Sequence, residues 1–172
     1  MPFEYDPVPV NYKAKSMHNN RVCDGYRGEW NEDKQRDGKG INYYEDGSIY
    51  EGYWLADKPS GRGRITRTDG EVYEGDWLDG LPHGKGKVTQ NDDSSYSGDW
   101  VNGIKEGQGE EKWPSDSAYY IGSYHNDKRN GQGEYHFQEG DVYTGNFVDN
   151  VINGRGRYEW KDGRVYEGDW VN

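Results

Sequence analysis

The sequence has little from which to build an ordinary globular core. Only 30% of its 172 residues are apolar, tyrosine and tryptophan included, and the mean hydropathy is −1.33. Aliphatic side chains are too few for a thick two-layer core, so buried area must come from rings. Cys23 is the only cysteine, which excludes an internal disulfide and suits a reducing compartment. No stretch approaches the roughly 20 apolar residues of a membrane span, and Met1–Val10 lacks the apolar run of a signal peptide. A net charge of −11 disfavours general nucleic-acid binding and weakens broad attraction to anionic membranes.

Chemical motifs are equally scarce. There is no HExxH, CxxC or EF-hand spacing, and no GxGxxG or GxxxxGK[ST] leading into a helix. His18, His83, His125 and His136 are scattered and do not recur. No catalytic, metal-binding or cofactor-binding residue is assigned, and an enzymatic role is not expected. No glycine-free run has a helical period.

Low hydrophobicity with high charge would by itself suggest disorder. Two features oppose that: aromatics make up 15%, and the 26 glycines fall at fixed intervals. Tyrosines at Tyr26, Tyr50, Tyr73, Tyr96, Tyr120, Tyr143 and Tyr166 are 23 or 24 residues apart. Each is followed two residues on by glycine, and four residues on by Trp30, Trp54, Trp77, Trp100, Tyr124, Phe147 or Trp170. Six copies then carry a GxG pair, from Gly38/Gly40 to Gly154/Gly156. A period of this length marks a repeat array.

The stretch Tyr73–Gly86 reads as the unit. Tyr73–Trp77 is a strand, Leu78–His83 a six-residue turn, and the return strand begins at Gly84, with Trp77 opposite Gly84. Side chains alternate with period two, so Tyr73, Trp77 and the glycines share one face. Glu74 and Asp76 oppose Lys87 and Lys85 on the other. A closing glycine follows at Gly47, Gly70, Gly140 and Gly163; Asp93 stands in its place in the third unit. The fourth unit gains a residue near Trp113-Pro114, and the first has one extra turn residue.

The pattern YxGxW, then GxG, then a closing DG or EG resembles the MORN (membrane occupation and recognition nexus) repeat, and it covers nearly everything after residue 25. The expected fold is all-β: an elongated, single-layer, twisted antiparallel sheet of tandem hairpins of about 23 residues. Six full repeats start at residues 26, 50, 73, 96, 120 and 143, with a half repeat from 166. Residues 1–22 stand apart as an arm or cap. The array fills 26–172.

The resemblance implies a non-catalytic scaffold, cytoplasmic and tied to the cytoskeleton or to a ciliary or flagellar axoneme. Its expected partner is a helical or extended protein segment. A one-layer sheet should leave some rings accessible, so the expected groove is aromatic: Tyr26, Trp30, Tyr50, Trp54, Tyr73, Trp77, Tyr96, Trp100, Tyr120, Tyr124, Tyr143 and Phe147. Tyr166 and Trp170, on the unreturned last strand, form an expected association edge for a homo-oligomer. The competing reading is a phosphoinositide-binding module using Arg155 and Arg157, then Arg62 and Arg64. It rests on Thr144 and Asn146, rather than carboxylates, facing Arg157 and Arg155.

Overall fold

The computed structural model describes residues 25–171. The expectation of an arm or cap over 1–22 lies outside them. Among the described residues thirteen strands run in chain order. The first hairpins are β1 (Gly25–Trp30) with β2 (Arg36–Tyr43), β3 (Ile49–Leu55) with β4 (Lys58–Thr66), and β5 (Val72–Leu78) with β6 (Leu81–Thr89). Next come β7 (Ser95–Val101) with β8 (Ile104–Trp113), β9 (Ala118–His125) with β10 (Lys128–His136), and β11 (Val142–Val148) with β12 (Val151–Glu159). The half repeat supplies β13 (Val165–Trp170). All belong to one sheet in which spatial order equals chain order and every pair is antiparallel. Neighbouring strands about 4.8 Å apart make a sheet about 58 Å long.

Two alternating turns build this ladder. The tight ones hold two residues, both with positive φ: Ala56-Asp57, Asp79-Gly80, Asn102-Gly103, Asn126-Asp127 and Asp149-Asn150. That is the type I′ hairpin turn, favoured because its twist matches that of the flanking strands. The wider turns between hairpins carry Asx bonds, as where the Ser48 N–H donates to Asp46 Oδ1 at 2.8 Å. Asp93 adopts φ +65° where four other units place glycine near +90°, a conformation aspartate tolerates better than most side chains.

The six-residue turn is corrected. Leu78 pairs with Leu81, and Trp77 faces Pro82 rather than Gly84. The return strand therefore starts three residues earlier and carries a wide bulge. Gly75 still pairs with Gly86 and Glu74 with Lys87, so Asp76 alone faces His83, Gly84 and Lys85. The shift recurs in all six hairpins.

The bulge explains why the glycines come in pairs. Gly84 has φ +68°, the left-handed conformation the bulge needs. Gly86 is needed for space: a Cβ there would lie 2.2 Å from the Tyr73 hydroxyl and 2.5 Å from its Cζ. The ring lies flat on the chain. Its hydroxyl donates to the Asp76 carbonyl at 2.9 Å, opposite the bulge. Tyr26, Tyr50, Tyr96, Tyr120, Tyr143 and Tyr166 make the same bond three residues ahead. This accounts for tyrosine at that position, since phenylalanine would leave the carbonyl without this donor.

Candidate functional site

One face of the sheet is a continuous ladder of rings. Trp77 stands edge-on to Tyr73 of its own unit at 5.1 Å and to Tyr50 of the preceding unit at 5.1 Å. Its indole N–H donates to the Gly63 carbonyl at 3.0 Å. The alternation runs from Tyr26 to Trp170. Edge-to-face pairs at such distances contribute about 0.5–1.5 kcal/mol beyond area burial. Tyr124 stands where most units have tryptophan. Its hydroxyl donates to Glu111 Oε2 at 3.0 Å, and Lys105 pairs with Glu111 Oε1 at 2.8 Å. Glu111 occupies the place of Ile65 and Val88, so tyrosine and glutamate replace tryptophan and an aliphatic residue together.

The expectation of accessible rings is met only on the first described strand and fails along the rest of the ladder. Tyr50 is 0% exposed and Trp77 6%, and Trp54, Tyr73, Tyr96, Trp100, Tyr120, Tyr124, Tyr143 and Phe147 are also buried. Tyr26 is half-buried and Trp30 is 52% exposed, both on the first described strand. Interlocked rings carpet the face so closely that each covers its neighbour. Further cover comes from Tyr44, Trp113, Tyr135, Phe137, Ile152 and Tyr158, and from cations. The Arg36 guanidinium lies 4.4 Å from the Trp54 ring centre, and the Lys105 ammonium 4.6 Å from that of Tyr96. Arg129 lies over Trp113, Tyr120 and Tyr135. Sequence reasoning missed these lids. They occupy the residue two before each GxG pair, but Pro59, Pro82 and Ile152 share that position and hide the pattern. The groove proposed along the rings is therefore the core.

Burial pushes up the phenol pKa values of Tyr73, Tyr96, Tyr124 and Tyr143, and that of Tyr120 to about 12. The fold holds the protonated phenol. Its contribution is complete below about pH 10, the ordinary phenol value, and is lost as pH rises through the raised values. Melting temperature should hold up to about pH 10 and then fall steeply, with Tyr73, Tyr96, Tyr120, Tyr124 and Tyr143 ionising only as the chain unfolds. Ionisation of those five phenols near pH 10 in a protein that remains folded, read residue by residue from tyrosine ring-carbon NMR, would contradict the packing.

The opposite face is polar and carries the groove. A cavity of about 790 Å³ is lined by Arg62, Arg64, Glu74, Lys85, Lys87, Ser97, Gln108 and Ile121, with the main chain of Gly86, Gly98 and Gly109 as part of its floor. These residues come from six successive strands, β4 to β9, so the sheet bends toward this face over about 24 Å. Along its tight-turn edge run exposed apolar side chains: Leu55, then the cross-strand pairs Leu78–Leu81 and Val101–Ile104. The row breaks at His125–Lys128 and resumes at Val148–Val151. Successive turns are tied together, Gly80 N–H to the Pro59 carbonyl and Gly103 N–H to that of Pro82, each at 2.8 Å.

The arginines proposed for lipid divide. Arg155 pairs with Glu167 at 3.6 Å and Arg157 with Glu159 at 2.6 Å. Neutralisation that was lacking on the β11 side comes from β12 itself and from β13, where Glu167 and Asp169 face the two arginines. Arg62 pairs with Asp76 at 3.2 Å. Lys85 pairs with Asp99, and the Lys85 ammonium holds that carboxyl below the usual carboxylate range. Arg64, Glu74 and Lys87 lie in register on β4, β5 and β6. Among the described residues neither Arg64 nor Lys87 has a carboxylate within ion-pair distance. Tyr166 is 43% exposed on β13, while Trp170 packs against Tyr143 and Tyr158. No group of three or more histidine, cysteine or acidic side chains among the described residues could hold a metal ion.

Comparison with known families matches the MORN repeat six times, over residues 26–49, 50–72, 73–95, 96–118, 120–142 and 143–163. No curated protein matches. Among solved structures, the fold is similar to the SAS-4 (dCPAP) TCP domain of Drosophila melanogaster in complex with a proline-rich motif of Ana2 (dSTIL). The identity is 12%, the TM-score 0.50, and the match covers 91% of this chain and 85% of that one. A second structure, the Drosophila melanogaster Sas-4 TCP10c domain, is 15% identical with a TM-score of 0.47, covering 84% of this chain and 86% of that one.

Proposed function

The chain belongs to the MORN-repeat family, and from that premise we propose that it is a non-catalytic scaffold in a cytoskeletal setting, ciliary or axonemal, holding a segment of another protein. The observation that carries this reading is the open groove on the polar face, flanked by the exposed Leu78–Leu81 and Val101–Ile104 row. Apolar side chains beside a long groove match a protein segment better than a small solute. The similar sheet of SAS-4, solved with a proline-rich motif of a second protein, supports reading such a sheet as a platform for a peptide. The partner site moves from the rings to the opposite face, because the rings are spent on the core. The phosphoinositide reading loses its best residues, since Arg155 and Arg157 are paired. Self-association through β13, where Tyr166 is exposed, is the second part of the proposal.

One experiment addresses both parts. A photo-crosslinking side chain is placed at Ser97 in the groove, at Tyr166 on β13, or at Asp92 in a wide turn as control, and irradiated in the native cells. The Ser97 chain should join a distinct partner protein that Asp92 does not, and the Tyr166 chain a second copy of itself. Equal products from Ser97 and Asp92 would end the groove reading; a Tyr166 chain that stays single would end self-association.

A further inference from the structure

β1 is an edge strand among the described residues, and its unmet bonds specify what belongs beside it. In four units the tryptophan indole N–H donates to a return-strand carbonyl fourteen residues earlier: Trp54 to Gly40, Trp77 to Gly63, Trp100 to Gly86 and Trp170 to Gly156. Among the described residues Trp30 has no such acceptor. Fourteen residues before it stands Ser16. The carboxylates repeat the pattern. Asp76 accepts the Lys85 N–H of its own hairpin and is held by Arg62 of the strand before; Asp99 accepts the Gln108 N–H and is held by Lys85. Glu29 likewise accepts the Lys39 N–H at 2.9 Å, but no described cation lies within ion-pair distance of it. Arg62 and Lys85 each stand fourteen residues before their carboxylate, and fourteen before Glu29 stands Lys15.

We propose that residues 12–19, which lie outside the described ones, are a return strand without a hairpin of its own and pair antiparallel with the open edge of β1. The register is that of β2 on β3, where Gly38 faces Trp54 and Gly40 faces Gly52. It sets Ala14 opposite Trp30, Lys15 opposite Glu29, Ser16 opposite Gly28 and Met17 opposite Arg27. Length agrees, because residues 20–24 leave the same five-residue connection that Tyr44–Ser48 makes between β2 and β3. Cys23 stands there in place of Gly47, so the correspondence lies in the strand and not in the turn. Alanine and serine in the GxG places follow from the geometry. A Cβ on Gly38 would meet the Glu29 carboxylate, and one on Gly40 the Tyr26 ring, both on the first strand of the same hairpin. A return strand with no first strand needs neither bare backbone nor bulge. For the same reason Ser16 refuses a tyrosine-bearing strand on its far side, so the segment closes this edge and does not extend the ladder. It brings no tyrosine to Trp30, whose ring stays partly exposed.

Indole exchange and disulfide capture on the full chain test the assignment. By NMR, the Trp30 indole N–H should exchange within about tenfold of the rate for Trp54. Lys15→Pro plus Ser16→Pro removes two successive main-chain N–H groups, one of which faces β1. It should speed Trp30 exchange by at least about tenfold and leave Trp100 unchanged. In a Cys23→Ser chain, Met17→Cys with Arg27→Cys should close to a disulfide. Met17→Cys with Glu29→Cys, out of register, should stay open. Trp30 exchanging at the rate of a free indole in the unaltered chain, no response to the proline pair, or equal closure of the two cysteine pairs would overturn the proposal. Disulfide-linked dimers in place of a closed chain would give the edge to a second copy and overturn it as well.

Discussion

Replacing Gly86 with alanine should cost about 3 kcal/mol or more, although only one methyl is added. The added carbon would lie 2.2 Å from the Tyr73 hydroxyl and 2.6 Å from its Cε2. It meets the flat ring of a buried side chain, not the mobile end of a long one. The ring must lift, and lifting it breaks the hydroxyl bond to the Asp76 carbonyl and the edge contact with Trp77. Overpacking in a tight interior costs about 1–3 kcal/mol before such losses. At about 2–4 °C per kcal/mol for a chain of this size, melting should fall by about 6–12 °C. Gly163→Ala is the control. It has φ +87°, but nothing lies within 4 Å of an added Cβ, so only the left-handed backbone strain of about 1–2 kcal/mol applies. Equal melting shifts for the two variants would mean that the ring does not rest on Gly86.

Removing Trp77 should cost still more, and should change how the protein unfolds. Truncating a buried tryptophan costs about 3–5 kcal/mol. Trp77 also joins units, because it contacts Tyr50 and bonds the Gly63 carbonyl of the preceding one. In a repeat array, stability is a sum of unit terms and nearest-neighbour terms. Deleting one central interface should separate the unfolding of β1–β4 from that of β7–β13, giving two urea transitions in place of one. Trp30→Ala should shift the midpoint only slightly, by about 1 kcal/mol, since that ring is 52% exposed and, among the described residues, meets only the Tyr26 ring, edge-on. A single unshifted transition for Trp77→Ala would refute a core made of rings.

Much of this architecture is legible in the sequence. Tyrosines 23 or 24 residues apart, each with glycine two residues on, specify strands, their face and their tandem order. The pairings Gly75–Gly86 and Glu74–Lys87 were also reached, although from an anchor, Trp77 opposite Gly84, that the bulge replaces. The turn was not. Gly84 reads as the start of a strand because GxG recurs so regularly, and that masks Asp79-Gly80, itself a strong two-residue hairpin signal. The bulge that reconciles the two adds two residues on one strand only, which a period-two count cannot register.

The candidate site was less legible, for a different reason. Pairing within one hairpin left Arg155 and Arg157 opposite Asn146 and Thr144, but a strand has two neighbours, and β13 brings Glu167 within reach of Arg155. The choice of face failed on geometry: residue alternation separates rings from charges without saying which side the sheet bends toward.

The repeat period and the placement of tyrosine and glycine determined that this chain forms one antiparallel ladder with its rings on a single side, because only bare backbone admits a ring lying flat. Composition already required rings to supply the buried area; tertiary structure alone decided that they are buried too completely to form a groove, and that the groove belongs to the charged side. Both depend on how rings from successive units interlock and how six strands bend together, which are distances between units that no single repeat encodes.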